Sequence, residues 1–475
     1  MVPADKGGGL MRTDLLTEPI DGLDEALAAV DAFDSALAAG LLRPQPAGAA
    51  SLSELADAVA GTPLGAKTAE AADKAAAGAA SEDHLVALAA ARTALLGSVH
   101  DALHARADEA TGRPRAEQSP QDDGTRPAAP QANVLLAARS WLADLARCGW
   151  QGMDHDVVAG AAPVLTALLP EPGLRRLAVL LDGFAAELAA SCPGASLQRI
   201  PERRWADLWA RALLLTVPGA ADAPEARPVS GRLLPLGADV QEHPTAVQAQ
   251  IHAVLEPEDG SGARLVRASV SVPKPDTVVG AGLWQLLRPH MSLLAALGEG
   301  RSMDLTDMPV TADGDLLWDD AQARPGEPAD PFATARVALP TATDAPTAPL
   351  DRHPARLAVP VFLEGYAARP DDDGTTFDLA GQPLYVDGDR IPTASPLTPE
   401  AVAKSGACIG LLRWNAGRFE LQPLAVESTV RKKTVALHAG AWAGGTTDKT
   451  GAKGEKAATD AVKVLRERAG RLLRK

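Results

Sequence analysis

Cysteine is scarce in this sequence: three residues in 475, at positions 148, 192 and 408. The number is odd and no CxxC occurs, so neither a disulfide framework nor a thiolate zinc site is indicated. A reducing cytoplasm is the expected compartment. Aromatic residues make up only 3% of the chain. The core must therefore be built mostly from Leu, Val and Ala, and the heavy use of Ala fits a GC-rich bacterial genome. Long apolar runs are missing too. Residues 1–16 hold no apolar segment of signal-peptide length, and no uncharged run reaches the roughly 18 residues that a bilayer span needs. Catalytic signatures are also absent. There is no G-x-x-x-x-G-K-[ST] and no G-x-S-x-G, and the glycine-rich "AGGTTDKTG" and "GAKGEK" follow no buried strand.

What is present is a globular balance, with 46% hydrophobic and 23% charged residues, and an uneven charge. The net charge is -15, which argues against nucleic-acid binding through the bulk field. Residues 428–475, however, hold twelve Lys/Arg against four Asp/Glu, a net +8 that leaves -23 for residues 1–427.

Periodicity organises the chain. Residues 1–20 carry no strong signal and are expected to be disordered. Helical spacing then sets Leu23, Leu27, Val30, Phe33, Leu37 and Leu41 on one face. Ser81 reads as the N-cap of a long helix whose stripe is Leu85, Leu88, Leu95, Val99 and Leu103. Residues 21–109 thus form a helical region, 110–132 a Pro/Gly-rich linker, and 133–215 a second helical bundle. The texture changes near residue 216, where "TVPGAADAPEARPVSG" is a second Pro/Gly-rich break, and strand-like alternation begins beyond it. A mixed β/α domain is expected over 228–318, a loop over 319–354, and a small β-rich module, barrel- or sandwich-like, over 355–440. Residues 441–475 read as a flexible basic tail that ends in an amphipathic helix. The fold class is therefore α+β and multidomain, all-α first and β-rich second.

The stretch "CIGLLRWNAGRFELQPL" (408–424) reads as a core hairpin. Asn415 and Gly417 supply the positive φ that a tight loop needs. Trp414 and Phe419 stand where they can pack across it. The first flank is apolar on both faces, so it is internal. The second ends in Pro423, which suits an edge or a strand terminus.

Candidate sites are few. His100 and His104 are four apart on one helix, a spacing that can hold a metal, but no third ligand is evident. Asp154 and His155, in "DHD", offer ligands, yet Asp154 stands where a helix wants its N-cap. The chain is therefore expected to need no cofactor and no metal. Trp205 and Trp209 lie among arginines and would be a partner hot spot if exposed. The basic segment offers Arg431, Lys432 and Lys433, and then Lys463, Arg466, Arg468, Arg471 and Arg474 on a helix.

With no catalytic constellation, the leading expectation is a non-enzymatic cytosolic adaptor or accessory subunit of a larger bacterial assembly, with protein partners. One alternative is a single-stranded nucleic-acid binder using the C-terminal β module and the basic tail. The other is a hydrolase or transferase around His243, His252, Glu242 and Glu256.

Overall fold

The computed structural model describes residues 11–114, 132–220, 224–371, 374–430 and 433–472. Its first half is helical. Thr13–Thr17 (α1), Leu23–Ala39 (α2), Pro46–Ala58 (α3), Gly65–Ala76 (α4) and Glu82–Thr111 (α5) come first. Ala132–Cys148 (α6), His155–Ala159 (α7), Ala161–Leu168 (α8), Arg175–Ala190 (α9) and Glu202–Leu215 (α10) follow. α5 starts on a capping box. Ser81 Oγ accepts from the His84 amide, and His84 Nδ1 accepts from the Ser81 amide, which satisfies two otherwise orphaned donors.

Six aromatics, Phe33, Trp141, Trp150, Phe184, Trp205 and Trp209, lie in the helical core. The Trp150 ring meets those of Phe184 and Trp205 edge-on, with centroids 6.0 and 5.9 Å apart, a geometry that adds about 0.5–1.5 kcal/mol per pair beyond burial. α7 and α8 are parted at Gly160. A side chain there would press on the Trp141 ring, 3.1 Å from an added Cβ. Residues 11–20, expected to be loose, hold α1, whose Leu15 and Leu16 are buried beside α5. Residues 1–10 and 115–131, which carry most of the expected linker, lie outside the described residues.

Two sheets follow. Ala226–His243 (β1), Ala246–Pro257 (β2) and Arg264–Pro273 (β3) form an antiparallel meander. Gly282–Leu287 (α11) and Leu293–Glu299 (α12) come next, then Arg301–Thr311 (β4), Asp315–Leu316 (β5), Ala323–Pro328 (β6) and Pro331–Val337 (α13). The strand order is β1-β2-β3-β5-β4-β6, and β4 also pairs with β1. The long strands thus curl into a half-barrel, and the two-residue β5 completes the ring of pairings. A barrel- or sandwich-like module was expected over 355–440; the half-barrel belongs to this first sheet. Its device is the eighteen-residue β1, bent by bulges between Val229 and Gly231 and between Pro235 and Gly237, since bulges raise local twist. The same prolines and glycines make β1 read as a break in the sequence.

The second sheet is open and seven-stranded. Val359–Glu364 (β7), Ala367–Asp371 (β8), Gly374–Leu379 (β9), Gln382–Val386 (β10), the short helix Pro399–Val402 (α14), Ala407–Asn415 (β11), Arg418–Val430 (β12) and Lys433–His438 (β13) build it. Its order is β7-β11-β12-β10-β9-β8, with β13 also on β12. β11 is internal, as its apolar flanks require. β12 is internal too, against the expectation from Pro423. That proline faces Gly410 at a register shift between Ile409 and Gly410, and a bulge tolerates a residue with no N–H to donate. The turn places Ala416 (φ 48°) and Gly417 (φ 83°) in the left-handed region, one residue later than the expected Asn415. The Trp414 and Phe419 rings pack across it at 5.0 Å.

Residues 319–354, expected as a loop, hold β6 and α13. Phe332, Ala335, Leu339 and Ala342 plug the space between the two sheets, against Leu234, Ile409 and Ala425. Beyond β13, Trp442 packs into the half-barrel core, and Lys449–Leu472 (α15) lies on α11 with Ala458 against Gly282, while Gly451 lies against Trp442. Residues 441–458 are therefore packed where a free linker was expected. No helix among the described residues is long and apolar enough to cross a membrane.

Candidate functional site

A group of buried ionisable side chains gathers where α5 meets the segment between the two sheets. α5 has two clients. Leu85, Leu88 and Leu96 face the helical core, whereas Val99, Leu103 and Ala107 face the core of the second sheet. His104, on the second half, is buried. Its Nδ1 lies 3.2 Å from Asp108 Oδ2, and its Nε2 lies 3.3 Å from Asp344 Oδ2. Burial works against a charge on His104, but the two carboxylates outweigh it and push the imidazole up to about 9. Burial likewise opposes the Asp344 charge. His104 and the nearby cations Arg113 and Arg267 still hold that carboxyl below its usual range. Arg113, just past the α5 terminus, is 6% exposed and donates from Nη1 to the Pro360 carbonyl of β7 at 2.6 Å. Its Nε and Nη2, like Asp108 Oδ1, are buried without a hydrogen-bond partner.

A second buried cluster ties the sheets together. Arg413 of β11 donates to Asp239 of β1 (Nη2 to Oδ2, 2.8 Å) and to Gln422 of β12 (Nε to Oε1, 2.9 Å). Gln422 in turn donates to Asp239 Oδ1 at 2.8 Å. Arg413 and these hydrogen bonds keep Asp239 ionised against the opposing effect of burial. His252 lies beside this cluster with Nε2 unpartnered, and burial pushes it down to about 4, so it is neutral at pH 7. A third cluster lies in the helical half. Arg92 of α5 grips Asp34 of α2 with two bonds of 2.6 and 2.7 Å and reaches Asp207 of α10 at 2.7 Å. His353 meets the same Asp207 at 3.3 Å.

The expected site residues fall as follows. His100 and His104 are both buried, with ring centroids 5.9 Å apart, and the third ligand-type group near His104 is the remote Asp344. Asp154 caps α7, its Oδ1 accepting from the Val157 amide at 2.9 Å, while His155 is exposed. Trp205 and Trp209 are 1% and 0% exposed, with indole N–H groups bonded to Glu187 and to the Leu142 carbonyl. They anchor the bundle and present no surface. His243, His252, Glu242 and Glu256 do not converge. Glu256 pairs in register with Arg232 and His243 with Ala246, at opposite ends of the β1–β2 ladder. Glu242 instead bonds the buried Lys274 at 3.1 Å.

No protein-family model matches the chain, and neither does any curated protein or any solved structure. The surface therefore has to be read from its own residues. Lys463, Arg466, Arg468 and Arg471 are exposed on α15. Arg431, Lys432 and Arg474 lie outside the described residues, and Lys433 opens β13. A cleft of about 370 Å³ lies between β1 and residues 389–394, and Asp239, Glu242, Asp389 and Arg390 line it. Sequence reading missed Asp344, Arg113, Asp239 and Arg413 as a set. One signal was available: an arginine inside the apolar strand "CIGLLRW" demands a buried acid.

Proposed function

We propose that the chain is a non-enzymatic adaptor or accessory subunit that docks an acidic protein partner on the second half of α15. One observation supports this reading. α15 is seated by its first half, where Arg288 Nη2 meets Glu455 Oε1 at 3.1 Å and Gln285 Nε2 donates to the Glu455 carbonyl at 3.1 Å. From Lys463 to Ala469 every residue is exposed, and Val464 and Leu465 are 45% and 40% exposed among the cations. A short apolar strip inside a positive rim suits a partner whose surface is negative at its edge and apolar at its centre. The buried ion pairs join elements to one another and leave the chemistry of recognition to this projecting helix. The three free cysteines suit a reducing compartment.

The test is a quantitative pull-down from the source cells with the full chain and with Lys463, Arg466, Arg468 and Arg471 all changed to Glu. A stoichiometric protein held by the first and lost by the second is the expected result. Identical recoveries would overturn the proposal. The nucleic-acid reading has less support, because Tyr385, the exposed aromatic of β10, is already covered by Arg418, whose guanidinium carbon lies 3.9 Å from the ring centroid. Binding to a random single-stranded oligonucleotide that weakens steeply with salt would revive it.

A further inference from the structure

We propose that His104, Asp108 and Asp344 form a three-ligand site for a divalent cation of the zinc class, bridging α5 to the segment between the sheets. The three side chains each offer one ligand atom, and these atoms all lie within 4.8 Å of one another. A ligand shell of roughly 2.0–2.2 Å bonds closes such a group with sub-ångström shifts. One imidazole and two carboxylates suit Zn²⁺ or Mn²⁺ better than Mg²⁺, which prefers oxygen alone.

Two further observations point to an ion. The first is Asp108 Oδ1, which is buried with no hydrogen-bond partner. A buried carboxylate oxygen left without a donor is costly, and a cation would satisfy it. The second is the length of the His104 contacts, 3.2 and 3.3 Å. Charge-assisted bonds normally close to about 2.7–2.9 Å, so neither carboxylate is tightly held; the contacts leave from different ring nitrogens, of which one can bind the cation while the other keeps an N–H for its carboxylate. His104 and Asp108 are placed by the i, i+4 spacing of α5, one above the other on the same face. Asp344 is held from the other side, since Thr343 exchanges backbone hydrogen bonds with Ala263 and Leu265.

Arg113 competes for the same carboxylates. Its Nη1 is committed to the Pro360 carbonyl, while its Nε and Nη2 are unpartnered. In the metal-bound site these two donors are available to the outer carboxylate oxygens, the role that neighbours of metal ligands commonly play. Neither the 370 Å³ cleft nor the groove beside residues 194–204 is lined by the three ligands. The ion would therefore act as a staple between elements, away from the docking face of α15, and this inference stands independently of the adaptor reading.

The test uses the full chain, purified without an affinity tag or chelator. Metal content is measured first. The chain is then stripped and titrated with Zn²⁺ in competition with a chromophoric chelator. One Zn²⁺ per chain with a dissociation constant below about 1 µM is expected. Asp344→Asn and Asp108→Asn should each weaken it at least tenfold, while Asp101→Asn, one residue outside the triad, should not. Circular dichroism checks that the variants fold. Should they not, Co²⁺ added to the wild-type chain decides: visible d–d bands of a low-coordinate N/O site support the proposal, and the spectrum of hexaaquo cobalt overturns it. Zn²⁺ binding absent at 100 µM, or unchanged in both Asn variants, also overturns it.

Discussion

Arg413→Met should open the second sheet. The substitution keeps most of the aliphatic volume and removes the charge. It leaves Asp239, 2% exposed, with only Gln241 and Gln422 as donors. Breaking a buried pair from one side costs about 3–5 kcal/mol, because the remaining charge is stranded. Asp239→Asn strands Arg413 in the same way. Replacing the whole cluster (Arg413→Met, Asp239→Leu and Gln422→Leu together) removes the stranded groups and should cost less than either single change. Cys408 reports the effect. It lies on β11, is fully buried, and faces Leu363 and Val426 across the ladders. In a Cys148→Ser, Cys192→Ser background, its reaction with an aromatic disulfide reagent requires the sheet to open. A loss of about 3 kcal/mol speeds labelling roughly 150-fold, since each 1.4 kcal/mol is a factor of ten. The reasoning fails if either single variant labels within threefold of the parent, or if the effects add within about 0.5 kcal/mol.

Three further outcomes are expected. His252 is held neutral, down at about 4 from the ordinary 6.5, by burial near Asp239, Arg413, Arg267 and Asp344. The unfolded chain therefore binds the extra proton between those values, and stability falls as pH drops through that window. The loss is about 3 kcal/mol, and urea titrations at pH 7 and pH 4 should show it shrinking in His252→Gln; an unchanged slope refutes the assignment. A Cβ on Gly237 would lie 2.8 Å from Leu424 Cβ of β12. Gly237→Val should thus destabilise by about 1–3 kcal/mol, while Gly388→Ala, with open space around it, should leave the melting curve in place. Trp209→Ala should cost about 3–5 kcal/mol in denaturant titrations; a loss below 1 kcal/mol would return the indole to the surface.

Local pattern carried much of the fold. The stripes of α2 and α5 and the 408–424 hairpin all follow from periodicity that a single segment enforces. What failed was governed by distant contacts. β1 was hidden because the prolines and glycines that bend it also mark loops. α13 was hidden because "PFATARV" has only one large apolar residue, Phe332, and its value depends on the two sheets that close over it. The buried clusters were half legible. His104 could be singled out by its spacing from His100. Asp344 is 240 residues from it in sequence, inside a Pro/Thr-rich stretch with no period, and only the packing brings them together. Arg413 and Asp239 are 174 residues apart, and neither position announces its partner.

α5 explains why a chain that reads as beads on linkers builds two of its three buried clusters at shared junctions. Its apolar stripe is continuous from Leu85 to Leu103, yet it serves the helical core first and the second sheet afterwards. A helix shared in this way cannot be withdrawn from one core without disturbing the other. Its buried polar residues, with Arg113 just past its end, follow the same division. Arg92 binds α2 and α10, His104 binds Asp344 between the sheets, and Arg113 binds the Pro360 carbonyl of β7. Each of these groups would be a stranded charge or donor if its neighbour moved away, at a cost of about 1–3 kcal/mol for a lost hydrogen bond and more for an ion pair. Opening one region therefore penalises the next. The described residues should unfold with strong coupling between regions, with α5 as the element through which that coupling runs.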